Sequence, residues 1–156
     1  MQKILKQVFG IDVAQDELVV AAGRLLDDLT PELYANKSFP NTVKGFTALV
    51  DWVHKLTNPF VETRYVMEAT GVYHERLAYF LYEKEQVVSV VLPNKISNYF
   101  RTLGVKTVTD KTASEAIARF GLERKLDSWK PANPVYKKLR QLTRERDQLV
   151  QSRTIA

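Results

Sequence analysis

The chain has 156 residues, 45% hydrophobic and 26% charged, which predicts one soluble globular domain with a sizeable core. It has no cysteine, which excludes a disulfide framework, a thiolate metal site and a Cys nucleophile, and its two histidines, His54 and His74, leave little room for a His-rich zinc centre. No apolar run approaches the ~18 residues of a membrane span, and the Met1–Lys6 start is too short and too charged for a signal peptide. The net charge of +5 is uneven, since residues 1–100 carry −2 and residues 101–156 carry +7. A basic final third on a mildly acidic body points to a polyanionic partner, nucleic acid foremost; a solvated basic helix without a partner is the alternative.

In chain order, residues 6–14 crowd β-branched and aromatic side chains and predict a buried strand. Gln15-Asp16 makes a turn into a second strand over 17–23, and a weaker third strand covers Leu33 to Phe39. Asn41 is placed to cap a helix with Val43, Phe46, Leu49, Val50, Val53 and Leu56 at helical spacing. A strand follows from Val61 to Ala69, then a helix with Tyr73, Leu77, Phe80 and Leu81 on one face. Residues 87–92 are almost continuously apolar, as in a parallel strand covered on both faces. Pro93-Asn94 leads into a short helix with Ile96, Tyr99, Phe100 and Leu103 inward, and Gly104 stops it. Asp110 opens another helix carrying Ala113, Ala116, Ile117 and Phe120.

This β-β-β-α-β-α-β-α order is that of a ribonuclease H-like (RuvC-like) domain, a mixed five-stranded α/β sheet flanked by helices. We expect that domain over residues 1–128. Residues 129–156 then form a linker and the start of a basic, potentially coiled-coil helix, with Val135, Leu139, Leu142, Arg146, Leu149 and Arg153 spaced as a heptad seam. The chain stops at Ala156 without a helix stop signal, which reads as a truncated longer protein.

Three carboxylates stand out. Asp12 lies inside an apolar strand, where a buried charge costs several kcal/mol unless paired or bound to metal. Glu68 ends an apolar strand, at the edge where crossover sheets gather their ligand sites. Asp110 is as readily a helix cap as a ligand when taken alone. In a ribonuclease H-like fold these three positions converge, and the repulsion among them is relieved by a hard divalent cation. Two Mg²⁺ about 4 Å apart would serve phosphodiester cleavage or strand transfer.

At these residues the chain resembles the DEDD transposases of insertion sequences, relatives of the Piv invertase and of bridge-RNA-guided recombinases. The matching motifs are Gly10-Ile11-Asp12-Val13-Ala14, Met67-Glu68-Ala69-Thr70-Gly71-Val72-Tyr73, and the run from Lys106 to Ala118 around Asp110. The resemblance implies four metal-binding carboxylates: Asp12, Glu68, Asp110 and a further Asp at the position of Ala113. Positions i and i+3 share a helix face, so an Asp there would have pointed at the same site. Ala113 offers no oxygen, Ser114 is a poor substitute, and metal-dependent activity is expected to be impaired. The intact flanking motif favours deliberate replacement of an Asp over decay.

The resemblance further implies a downstream domain with a nucleophilic serine, a guide RNA, and dimers or tetramers formed through the C-terminal helix and that domain. It also implies DNA as substrate and a cytoplasmic, nucleoid-associated location. Lys95, Arg101, Lys106 and Lys111 lie between the fifth strand and the acidic helix, where they could contact nucleic-acid phosphates. Tyr73, Tyr99 and Phe100 read as core rather than base-stacking residues. Two rival functions remain open: a stand-alone junction resolvase or ribonuclease of the same fold, and a metal-free nucleic-acid-binding and oligomerisation module. An actin-like ATPase is discarded, because residues 13–16 lack a Gly-rich phosphate loop.

Overall fold

A computed structural model describes residues 3–69, 71–103 and 110–131, apart from the side chains at 100, 102, 103 and 110–112. Three strands come first, β1 (Ile4–Val13), β2 (Glu17–Leu26) and β3 (Pro31–Pro40). They are followed by α1 (Val43–Leu56), β4 (Thr63–Glu68), α2 (Glu75–Glu83), β5 (Val87–Val91), α3 (Pro93–Leu103) and α4 (Asp110–Glu123). The five strands form one mixed sheet in the order β3-β2-β1-β4-β5. β1 pairs antiparallel with β2 and parallel with β4, so it sits at the centre.

Alternation along β1 sorts its side chains between two cores. Phe9, Ile11 and Val13 face Phe46, Leu49 and Val53 of α1 and Leu77 and Leu81 of α2. Val8, with Val66 of β4 and Val91 of β5, faces Ile96 and Tyr99 of α3 and Ile117 and Phe120 of α4. The sheet is therefore covered on both faces, as the apolar run at 87–92 requires.

Two glycines let α4 lie close on the sheet. A Cβ at Gly10 would run into the backbone N of Ala118 and the carbonyl of Ser114, and one at Gly121 would stand 2.7 Å from Val8. The Lys6 ammonium caps that helix, donating to the Gly121 carbonyl at 2.7 Å and the Arg124 carbonyl at 2.8 Å.

Several expectations shift by a residue or an element. The cap of α1 is Thr42, whose Oγ1 accepts from the Gly45 N–H at 3.1 Å; Asn41 is buried and donates instead to the Ala14 carbonyl at 2.8 Å. α2 begins at Glu75, so Tyr73 lies in the preceding turn and is 44% exposed rather than in the core. Tyr99 is buried as expected, and the Phe100 side chain lies outside the described residues. Gly104 and the C-terminal helix of 135–153 also lie outside them. After α4 the chain crosses the outer edge of β5. The Trp129 N–H donates to the Val88 carbonyl at 2.6 Å, and its ring packs edge-on against Tyr79 at 5.2 Å.

Candidate acidic site on the central strands

Asp12 and Glu68 approach one another through strand pairing. The parallel register matches Gly10 with Val66 and Ile11 with Met67, so the next residues along, Asp12 and Glu68, stand side by side. Both share the parity of Val8, Gly10 and Val66, which puts them on the face covered by α4. Both are half-buried. Burial raises the Glu68 carboxyl above its usual range, and the neighbouring Asp12 charge raises it further. Two carboxylates crowded in this way, at the C-terminal end of central parallel strands, suit a hard cation with oxygen ligands.

The third carboxylate arrives with α4. The helix runs antiparallel to β1, with Gly121 over Val8 and the Ser114–Ala118 turn over Gly10. Asp110, the first residue of α4, stands one turn before Ser114, so the helix backbone reaches the level of Asp12. The Asp110 side chain lies outside the described residues. Ala113 is half-buried on the same helix and presents a methyl group where a fourth carboxylate was expected. Among the described residues, no group of three His, Cys, Asp or Glu is placed to hold a metal ion. Asp12 and Glu68 thus fit the expected cation as two of its ligands, and Ala113 does not.

Of the expected phosphate contacts, Lys95 and Arg101 are exposed on α3. Lys106 lies outside the described residues, as does the side chain of Lys111. Two buried polar groups outside the acidic pair were not anticipated. Asn41 ties Ala14, two residues after Asp12, to the turn after Glu68, its amide donating to the Ala14 carbonyl and, at 3.5 Å, to that of Tyr73. His74 is 9% exposed, its Nδ1 has no hydrogen-bond partner, and burial lowers its pKa while Glu75 opposes the shift. Asn41 could be read from the sequence only as a cap, because its partners are 27 and 32 residues away.

A family model described as "Transposase", of the DEDD type found in IS110 elements, matches residues 9–156. The chain is 30% identical over 153 residues to the pilin gene-inverting protein of Moraxella lacunata, and 29% identical to that of Moraxella bovis. Each match covers 96% of this chain but 46% of the relative, so the chain spans about half the length of these proteins. Among solved structures it is similar to Thermus thermophilus RuvC, with a TM-score of 0.55 and 12% identity over 79% of this chain and 99% of that one. It is likewise similar to the fowlpox virus Holliday junction resolvase, with a TM-score of 0.53 and 12% identity over 75% and 97% of the two chains. The fold is RuvC-like, a ribonuclease H-like mixed sheet between helices, as the element order predicts. Among the described residues, no helix is long and apolar enough to cross a membrane.

Proposed function

Because the chain belongs to the DEDD transposase family, we propose that it is the metal-binding RuvC-like half of a DNA recombinase and that Ala113 weakens its metal site. The observation that carries this reading is the side-by-side placement of Asp12 and Glu68, where burial first and the Asp12 charge second raise the Glu68 carboxyl. Asp12, Glu68 and Asp110 would hold the cation. When bound, Mg²⁺ would supply Lewis-acid stabilisation of a phosphodiester undergoing attack. The chain's own residues do the rest. The β1–β4 ladder fixes two ligands on rigid strands, and the α4 backbone approaches closely because position 10 is glycine. Lys95, Arg101, Lys106 and Lys111 would draw phosphates toward that edge.

The wider reading includes DNA as substrate, a guide RNA, assembly into dimers or tetramers, and a cytoplasmic, nucleoid-associated place of action. It is supported by the family and by relatives named for inverting a pilin gene. The 1–128 domain boundary belongs to it as well.

The test is calorimetric titration with Mg²⁺. Ala113→Asp is expected to tighten binding by about tenfold or more, equivalent to about 1.4 kcal/mol, and Asp12→Asn in that background to remove the gain. Equal affinity with and without the added carboxylate overturns the ligand assignment.

A second reading has one observation in its favour: the chain matches 99% of the length of Thermus RuvC, so a resolvase of this fold needs no further domain. Cleavage of branched DNA by the Ala113→Asp chain alone would select that reading. Nucleic-acid binding indifferent both to Mg²⁺ and to Asp12→Asn would instead select a metal-free binding module.

A further inference from the structure

A groove of about 390 Å³ lies between α3 and the end of α4. Lys95 and Asn98 form one wall, and Arg124 and Lys125 form the other. The floor is aromatic: Tyr99 meets Phe120 edge-on, with ring centroids 5.5 Å apart and planes at 74°. Lys95, Arg124 and Lys125 are all exposed. The acid beside the groove, Glu123, is engaged by the Tyr99 hydroxyl, which donates to its Oε2 at 2.7 Å.

A helix C-terminus ordinarily repels anions, since its last carbonyls carry partial negative charge. Here the Lys6 ammonium sits on those carbonyls, at Gly121 and Arg124, and offsets that charge. The Arg119 guanidinium adds to the positive field, because its charge and that of Arg124 both reach the Tyr99 hydroxyl. The Arg119 Nε is buried and makes no hydrogen bond.

We infer that this groove binds the phosphodiester backbone of a nucleic-acid strand, with Lys95, Arg124 and Lys125 on its phosphates and Asn98 as a neutral donor. Cations on two facing walls are the means by which proteins hold a strand's phosphates without reading its sequence. The α3 wall rises from Pro93, just past the β5 end that pairs with Glu68, so the groove opens near the acidic edge. The inference rests on the reading above only in that the chain handles nucleic acid. It needs neither the metal nor Asp110.

The test is fluorescence-anisotropy binding of the 156-residue chain to three 20-mers: single-stranded DNA, duplex DNA and duplex RNA. Titrations run in EDTA, so that failure of the metal site leaves the result untouched. Arg124→Glu/Lys125→Glu is compared with Lys44→Glu/Lys55→Glu, which changes the net charge equally on α1, across the sheet. The groove variant is expected to lose about tenfold in affinity at low salt, and its salt dependence to fall by about two released ions. The α1 variant should lose less than about threefold. Arg124→Gln/Lys125→Gln, checked by circular dichroism, repeats the comparison without charge reversal and should lose several-fold. The strand type that loses most affinity identifies the source of the phosphates. Equal losses in the groove and α1 variants, no loss in either groove variant, or no binding of any 20-mer by the parent overturns the inference.

Discussion

At Gly10 a single methyl group decides how closely α4 can approach the central strand. Any Cβ there meets backbone atoms of Ser114 and Ala118, which cannot rotate away as a side-chain tip could. Gly10→Ala is therefore expected to cost about 3 kcal/mol in urea unfolding, at the upper end for overpacking, with α4 pushed outward. In an Ala113→Asp background the same change should weaken Mg²⁺ binding, because it moves positions 110 and 113 away from Asp12. Gly10 stands in the motif that contains Asp12, but nothing in the sequence ties it to residues more than 100 positions later. His74 gives a pH signature. Its folded pKa lies below 6.5, so the unfolded chain binds the proton more readily and stability falls as pH drops below about 6.5. Glu68, raised by burial and then by Asp12, acts in the opposite sense: its folded form holds a proton that the unfolded chain has released, so stability falls as pH rises above about 4.5. Comparing urea midpoints at pH 7.5 and 5.5 isolates the histidine, since His74→Gln should lose less on acidification than the parent. An equal loss in both would show that His74 is protonated as easily folded as unfolded.

Elements were legible where a local rule governs them, and less so where a distant residue completes them. The helical spacing in 43–56 and the apolar run at 87–92 both yield the observed elements, because periodicity needs no tertiary information. The cap of α1 was misplaced by one residue: Asn41 and Thr42 are both good caps, and only the fold sends Asn41 to Ala14. Tyr73 fits the apolar period of α2, but the tight turn through Gly71, at φ +60°, leaves it outside the helix. The end of α4 is likewise completed from afar, by Lys6 at the start of β1. Lys6→Met keeps the apolar stem and removes the donor. It should cost about 1–2 kcal/mol, as charge-assisted hydrogen bonds to helix carbonyls do. Amide exchange should quicken at 121–124 with little change in α1; uniform exchange across the chain would show that the cap does not stabilise α4 locally.

For the molecule as a whole, the Asp12–Glu68 pair was legible because both carboxylates stand in apolar strands, a cost that sequence alone exposes. The layers followed from element order. The strap from Leu126 to Trp129 was not legible, since its residues carry no period and follow a helix with no stop signal. Leu126 packs on the α4 side of the sheet and Trp129 on the α2 side, so the strap wraps the edge of β5. Ser89 Oγ donates to the Asp127 carbonyl at 2.6 Å, and Arg64 donates to Ser89 Oγ at 2.7 Å, fastening the strap to two strands. An uncovered β5 would offer unpaired carbonyls to another chain. A chain ending at Pro131 should therefore unfold within about 1 kcal/mol of the parent, and one ending at Arg124 should lose about 2–3 kcal/mol with the half-buried Trp129. Light scattering should find the shorter chain self-associating through the bared edge. If both truncations match the parent in urea and stay monomeric, the strap is dispensable and the domain ends with α4. If the longer truncation also unfolds, residues beyond 131 belong to the folded unit and the proposed boundary near 128 fails.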